Sequence, residues 1–174
     1  SSFIKLMEVL PKPLVMKLAK MKVNGYMRKY AKINVKGLEN IDKISGPKIF
    51  VCNHLSNSDA LVLNEVLKRY DPTFVAGIKI INNPITSIGS MTVKKIAINP
   101  NIVDKDAIIK MVDILKNGNN LLIFPEGTRS RQGKMLEGKK GVLLVAKMSK
   151  ATIIPISMWG TEKLLPVNKD DNMS

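Results

Sequence analysis

The chain reads as an α/β domain with a mostly parallel central sheet flanked by helices, preceded by an N-terminal amphipathic two-helix segment. Three observations carry that expectation. Short runs rich in Ile, Val and Phe recur along the sequence, and segments of helical period lie between them. Of the 174 residues, 45 % are hydrophobic, enough to bury one ordinary core.

From Phe3 to Tyr30 apolar residues recur at helical spacing, with Phe3, Leu6, Met7 and Leu10 before Pro11-Lys12-Pro13 and Leu14, Val15, Leu18 and Met21 after it. The prolines break this stretch into two helices. Lys5, Lys12, Lys17, Lys20 and Lys22 are interspersed, a composition that suits either a helical pair packed on the domain or one lying in a membrane interface. Strands are expected at Ile33 to Val35, Lys48 to Cys52, Thr73 to Ile78, Lys95 to Ile98, Leu121 to Phe124 and Thr152 to Ser157. Helices are expected at Ala60 to Arg69, Asp104 to Lys116 and Val142 to Ser149, the middle one closed by Gly118. The polar tail from Asn168 to Ser174 reads as frayed or truncated. The chain therefore divides into an N-terminal helical segment, 1–31, and an α/β domain, 32–174.

The formal charge is +14, from 28 Lys and Arg against 14 Asp and Glu, and it implies an anionic partner: nucleic acid, a phosphate-bearing substrate or a membrane surface. Aromatics make up only 5 %, without the arginine and aromatic interleaving that stacks bases, which ranks nucleic acid last. Cys52 is the only cysteine, so an internal disulfide is excluded and a reducing compartment fits. It ends an apolar run and reads as a buried structural thiol. One His and one Cys offer no metal-ligand cluster. No apolar stretch approaches the roughly 20 residues that span a bilayer, so the chain is not expected to cross one.

Two segments carry chemistry, each beginning where an expected strand ends, as sites in parallel sheets do. The first is Asn53-His54-Leu55-Ser56-Asn57-Ser58-Asp59, which holds the only histidine. Histidine titrates near neutrality, and a carboxylate five residues on invites a general-base reading. Five residues along a helix turn through about 500°, so the pair meets only if His54 lies in the loop and Asp59 in the first helical turn. Ser56 with Asp59 three residues later is a capping-box pattern that supports this layout, and it equally allows Asp59 to be nothing more than a helix cap. The second segment is Phe124-Pro125-Glu126-Gly127-Thr128-Arg129-Ser130, where proline and glycine make a sharp turn exposing N–H groups and the Arg129 guanidinium suits bidentate phosphate binding. By itself it also reads as an ordinary turn with a solvent-facing arginine.

Taken together, in this order and about 65 residues apart, the two segments resemble the glycerolipid acyltransferase family, closest to the bacterial 1-acylglycerol-3-phosphate acyltransferases. The resemblance runs from about Asn34 to Trp159. Lys79, followed by Asn83-Pro84 and Gly89, looks like the family's second block, Ile153-Ile154-Pro155-Ile156 like its fourth, and Lys140-Gly141 like the Lys-Gly after the arginine motif. One departure stands out: Ile96-Ala97-Ile98 is followed by Asn99-Pro100 where the family usually has arginine, leaving Lys94, Lys95 or Lys105 as substitute point charges.

The resemblance implies an enzyme that moves a fatty acyl group from an acyl thioester to the free hydroxyl of lysophosphatidate, giving phosphatidate for phospholipid synthesis. His54 is then the base and Asp59 orients it, without a covalent enzyme intermediate. Backbone N–H groups near Gly127 are candidates for the oxyanion. Lys79, Glu126, Gly127, Thr128 and Arg129 are expected to bind substrate, with Lys140 as a further phosphate or donor contact. No cofactor or metal is implied; acyl carrier protein or coenzyme A arrives as the co-substrate thioester. The implied surroundings are an anionic lysophospholipid in a membrane, with the N-terminal helices as a peripheral or monotopic anchor on the cytoplasmic face and no nucleic acid. Alternative readings are a family enzyme using glycerol 3-phosphate or another lysophospholipid, and a non-enzymatic basic module for membranes or nucleic acid. A nucleotide-binding loop at Gly133 to Lys140 is a weak rival, because its last position is lysine instead of a hydroxyl.

Overall fold

A computed structural model describes residues 10–77, 93–99, 102, 104–130 and 136–164. Among them α1 (Lys12–Tyr30) and α2 (Leu38–Ile41) precede β1 (Lys48–Cys52), α3 (Asp59–Val66), β2 (Thr73–Gly77), β3 (Lys95–Ile98), α4 (Lys105–Lys116), β4 (Leu121–Ile123), α5 (Gly141–Ser149) and β5 (Thr152–Ile156). The strands form one sheet in the order β3-β2-β4-β1-β5, every pair parallel. The α/β expectation holds, and the bounds of the five observed strands agree with the sequence reading to within a residue wherever they are described.

Side-chain alternation sorts the sheet into two apolar layers. Ile49, Val75, Leu121 and Ile123 point to one face and pack with Met111, Val112 and Leu115 of α4 and Val145 of α5. Phe50, Cys52, Phe74, Leu122 and Ile154 point to the other and pack with Ile41 of α2 and Leu63 of α3. The register that permits this pairs Ile49 with both Leu121 and Ile153, and Phe50 with Leu122 and Ile154. Asn120 sets that register at the start of the strands: its Oδ1 accepts from the Lys48 N–H at 2.8 Å, its Nδ2 donates to the Tyr70 carbonyl at 2.7 Å, and its carbonyl accepts from the Thr73 N–H at 2.9 Å.

The handedness of the crossovers then fixes where a site can form. From β1 the chain moves to β2 by way of α3 on one face; from β3 to β4 and from β4 to β5 it moves the opposite way along the sheet by way of α4 and α5 on the other. Right-handed connections running in opposite directions must use opposite faces. The loops leaving the adjacent strands β1 and β4 therefore diverge, and a crevice opens between their carboxyl ends, the place where ligands bind in open α/β sheets.

Local sequence explains the helix ends. Asp104 caps α4, its Oδ1 accepting from the Ala107 N–H at 3.0 Å while its Oδ2 accepts from Asn99 at 3.0 Å, tying β3 to the helix. Gly118 stops it with φ +80°; its N–H donates to Leu115 and that of Asn119 to Ile114, which satisfies two orphan carbonyls.

Several expectations are corrected. Ile33 to Val35 is not a strand: residues 31–36 run irregularly with Ile33 and Val35 exposed, since a three-residue alternation with no partner strand among the described residues gains no ladder. The helix expected at Ala60 to Arg69 ends at Val66, and Lys68–Tyr70 tighten into a 3₁₀ turn. Ser58, not Ser56, is the residue that precedes the first helical turn of α3. Lys94 and Lys95 lie at the amino end of β3, away from the crevice, with Lys94 paired to Asp71 at 3.3 Å, so of the three substitute lysines only Lys105 stands on the carboxyl side. Lys79, Asn83-Pro84, Gly89, the first N-terminal helix and the start of the Gly133 loop lie outside the described residues.

The second N-terminal helix is α1. Pro11 precedes it, Pro13 occupies its first turn, and Arg28 and Lys29 complement the dipole in its last. Val15 and Met27 are buried, whereas Leu14, Met16, Met21, Tyr26 and Tyr30 are exposed; Tyr26 donates to the Leu164 carbonyl at 2.8 Å. Among the described residues no helix is long and apolar enough to cross a membrane.

Lys150, which ends α5, has φ 58°, a left-handed conformation that costs a non-glycine residue about 1 kcal/mol. Lys150→Gly is expected to raise the thermal unfolding midpoint by about 2–4 °C, read by circular dichroism.

Candidate active site

Three loops meet at the carboxyl ends of the neighbouring strands β4, β1 and β5. The β1 loop carries Asn53 to Ser58, the β4 loop Phe124 to Ser130, and the β5 loop Ser157 to Thr161.

Asp59 is the centre of the assembly. It is fully buried, and a buried carboxylate is tolerated only with donors around it. Its Oδ2 accepts from His54 Nδ1 at 2.7 Å, from the Leu55 N–H at 2.6 Å and from the Ser56 N–H at 2.9 Å; its Oδ1 accepts from the Thr161 hydroxyl at 2.5 Å. Burial by itself would raise the Asp59 pKa, but the hydrogen bonds from His54, Thr161 and the Ser56 backbone together hold the carboxyl below its ordinary 3.8. The reciprocal half of the capping box is present, because Asp59 reaches back to the Ser56 amide. The other half is replaced: Ser56 Oγ accepts from the Ser58 N–H at 3.0 Å, a local turn that starts the helix two residues later than the pattern suggests.

With Nδ1–H donating to Asp59, the neutral His54 ring has its lone pair on Nε2. The ring stacks on Phe124 of the β4 loop, centroids 4.1 Å apart and planes 17° off parallel. The imidazole is thus held along one edge by a carboxylate and across one face by an aromatic ring, an arrangement suited to a positioned base.

Glu126 is buried and bonds to two backbones, accepting from the His54 N–H at 3.0 Å and the Leu136 N–H at 2.9 Å, while the Ser130 N–H donates to the His54 carbonyl at 2.8 Å. Its carboxylate thereby ties the histidine loop to the segment that leads into α5. Gly127 has φ +69°, the left-handed region that favours glycine, and the flexible Lys139 side chain lies against it, its Cε 3.0 Å from where a Cβ would stand. The Gly127 N–H is taken up in the turn, donating to Phe124 at 3.1 Å; the Thr128 N–H has no partner among the described residues. Arg129 Nη1 donates to Asn57 Oδ1 at 2.8 Å, which brings the guanidinium onto the histidine loop. Lys140 is exposed and immediately precedes α5.

Four residues make contacts that the sequence reading did not assign to them. Asn53 clamps the β5 loop, donating from Nδ2 to the Met158 carbonyl at 2.7 Å and accepting from the Met158 N–H at 2.8 Å. Asn57 is the arginine's partner, and Lys139, not only Lys140, lies against the turn. Thr161 stands 102 residues from Asp59, and only the β1–β5 pairing brings it near. The motif context of Asn53 was a usable signal; Thr161 had none.

Cys52 is buried and its thiol is pushed up to about 12, by burial first and then by the charges of Asp59 and Glu126, which keeps it an inert thiol. Beside the β4 loop an apolar cavity of about 260 Å³ is lined by Val75, Ile98, Met111, Phe124 and Val142 among others. Among the described residues no group of three or more His, Cys, Asp or Glu is placed to hold a metal ion.

Because the folded Asp59 pKa lies below its ordinary value, ionised Asp59 stabilises the fold above about pH 4 and loses that contribution as the pH falls below 3.8. Asp59→Asn is therefore expected to be clearly less stable than wild type at pH 7, with the gap narrowing at pH 3, in denaturant titrations at both values.

Comparison with known proteins identifies the family. The family model described as Acyltransferase matches residues 32–159. The chloroplast 1-acyl-sn-glycerol-3-phosphate acyltransferase of Arabidopsis thaliana is 31 % identical over 144 residues, 81 % of this chain and 40 % of that protein. The 1-acyl-sn-glycerol-3-phosphate acyltransferase of Borreliella burgdorferi is 29 % identical over 141 residues, 79 % of this chain and 55 % of that one. The crystal structure of the 1-acyl-sn-glycerophosphate acyltransferase PlsC from Thermotoga maritima superposes with a TM-score of 0.62 at 28 % identity, covering 86 % of this chain and 58 % of that one. The chain thus spans roughly half the length of these relatives, and the match takes in both strand-end loops, His54 with Asp59 and Phe124 to Arg129: it belongs to the Acyltransferase family.

Proposed function

We propose that this chain transfers a fatty acyl group from an acyl thioester to the free hydroxyl of lysophosphatidate, forming phosphatidate. The observation that carries the reading is the His54–Asp59 contact at 2.7 Å, with Arg129 tied to the same loop through Asn57. The names of the relatives supply the acceptor: the Arabidopsis and Borreliella proteins are both 1-acyl-sn-glycerol-3-phosphate acyltransferases.

On this reading the acceptor hydroxyl donates its proton to His54 Nε2 as its oxygen attacks the thioester carbonyl. Asp59 fixes the tautomer and stabilises the imidazolium that forms. Collapse of the tetrahedral oxyanion expels the thiolate of coenzyme A or of acyl carrier protein, and His54 returns the proton to that sulfur. No side-chain nucleophile is needed, in keeping with an inert Cys52. The oxyanion takes a hydrogen bond from a backbone amide of the β4 turn; Thr128 supplies it, since the Gly127 amide is engaged. Arg129 and Thr128 hold the acceptor phosphate, with Lys79 and Lys140 adding positive charge, while Glu126 keeps the loops in register. The apolar cavity beside Phe124 suits an acyl chain. Residues 1–31 act as the interfacial anchor to an anionic membrane, on the cytoplasmic face where acyl thioesters are made. The exposed apolar residues of α1 and the net charge of +14 fit such a surface, each nearby lysine contributing about 1 kcal/mol.

The test incubates the protein with lysophosphatidate and, separately, with acyl-coenzyme A and acyl carrier protein thioesters, following phosphatidate. His54→Ala is expected to lower kcat by about 10²- to 10⁴-fold while the unfolding transition stays cooperative; retained turnover would remove His54 as the base. Arg129→Ala is expected chiefly to raise KM for the phosphorylated acceptor, with KM for the thioester little changed.

A further inference from the structure

We infer that Thr161, in the loop after β5, is a positioning residue for the base: its hydroxyl and its carbonyl together hold the Asp59 carboxylate and the serines beside it in the orientation that aims His54. The inference rests on the proposed role of His54 and Asp59.

Three observations carry it. Thr161 is buried, 4 % exposed, although it lies in a 3₁₀ turn at the surface of the sheet's carboxyl end. Its hydroxyl donates to Asp59 Oδ1 at 2.5 Å, the carboxylate oxygen that neither the histidine nor a backbone amide reaches. Its carbonyl lies within hydrogen-bond reach of the hydroxyls of Ser56 at 3.0 Å and Ser58 at 2.8 Å, both fully buried; the two hydroxyls are 2.6 Å apart and carry one proton each, so one donates to the carbonyl and the other to its fellow serine. The residue therefore grips the start of α3 from outside that element, through the Asp59 carboxylate and through the serine pair that precedes it.

The physical consequence is orientational. Oδ2 alone accepts three hydrogen bonds, and a carboxylate held by one oxygen can swing about that oxygen and about its own bond to the chain. A donor on Oδ1 removes that freedom. Asp59 then presents Oδ2 to Nδ1 at one angle, and the imidazole stands where Phe124 also supports it. An apolar group at position 161 would leave Oδ1 buried without its closest donor, with only the Ser56 hydroxyl at 3.4 Å as a poor replacement. Gly160, with φ +87°, turns the chain so that Thr161 points inward after the Asn53–Met158 clamp has fixed the loop.

Thr161→Val keeps the shape and removes the hydroxyl; Thr161→Ser keeps the hydroxyl and removes a methyl group. Steady-state assays of the whole chain with 1-oleoyl lysophosphatidate and palmitoyl-coenzyme A, run well below the unfolding midpoint of each variant, read the result. The expectation for Thr161→Val is a fall in kcat of about tenfold with both KM values within twofold of wild type, and for Thr161→Ser a kcat within threefold of wild type. A Thr161→Val enzyme with wild-type kcat, a loss confined to KM, or a serine variant as impaired as the valine one would overturn the assignment. His54→Ala, assayed in parallel, separates the two failures: if it stays active, the base reading falls and the Thr161 assignment with it. If it is inactive while Thr161→Val is not, only the Thr161 assignment falls.

Discussion

Everything at the carboxyl end of this sheet depends on the buried charge of Asp59. An ionised carboxylate removed from water costs several kcal/mol unless its lone pairs are filled, and breaking a buried charge network costs about 3–5 kcal/mol. The fold meets that demand with donors from separate places: the ring of His54, the amides of Leu55 and Ser56, and the hydroxyl of Thr161. The same contacts that make the charge tolerable also fix the geometry of the proposed base. Stability and the proposed function are therefore not in competition at Asp59.

The sheet order makes this gathering possible. Because β1 lies between β4 and β5, the three loops that build the site leave adjacent strands, and opposite crossover directions split them around a crevice. Phe124 and Glu126 approach from one side, Met158 and Thr161 from the other, and the histidine loop is held between them. Long separations in sequence, 72 residues from His54 to Glu126 and 102 from Asp59 to Thr161, become single hydrogen bonds.

Much of this was legible from residue patterns, and the limits have physical causes. The five strands of the sheet and α4 were read within a residue because apolar runs, Asp104 and Gly118 are local signals that tertiary packing reinforces. The meeting of His54 and Asp59 was legible because a loop-then-helix layout needs only six consecutive residues. Ile33 to Val35 misled because alternation says nothing about whether a neighbouring strand exists. Ser56 misled because a serine hydroxyl has two nearby amides to choose from, and its surroundings here include Ser58 and the Thr161 carbonyl far along the chain. Thr161 itself was silent, since a threonine after a strand carries no mark of its partner.

The Asn57–Arg129 hydrogen bond ties the plane of the guanidinium to the histidine loop through one N–H. Arginine carries five donors in a rigid fork, so fixing one of them also fixes the direction in which the fork faces. A neutral hydroxyl gains one ordinary hydrogen bond from such a group, whereas a phosphate forms charge-assisted bonds roughly twice as strong. Tethered through a neutral amide, the arginine keeps its whole charge while giving up part of its freedom, and the proposed acceptor site responds to charge before any other part of the lipid is read.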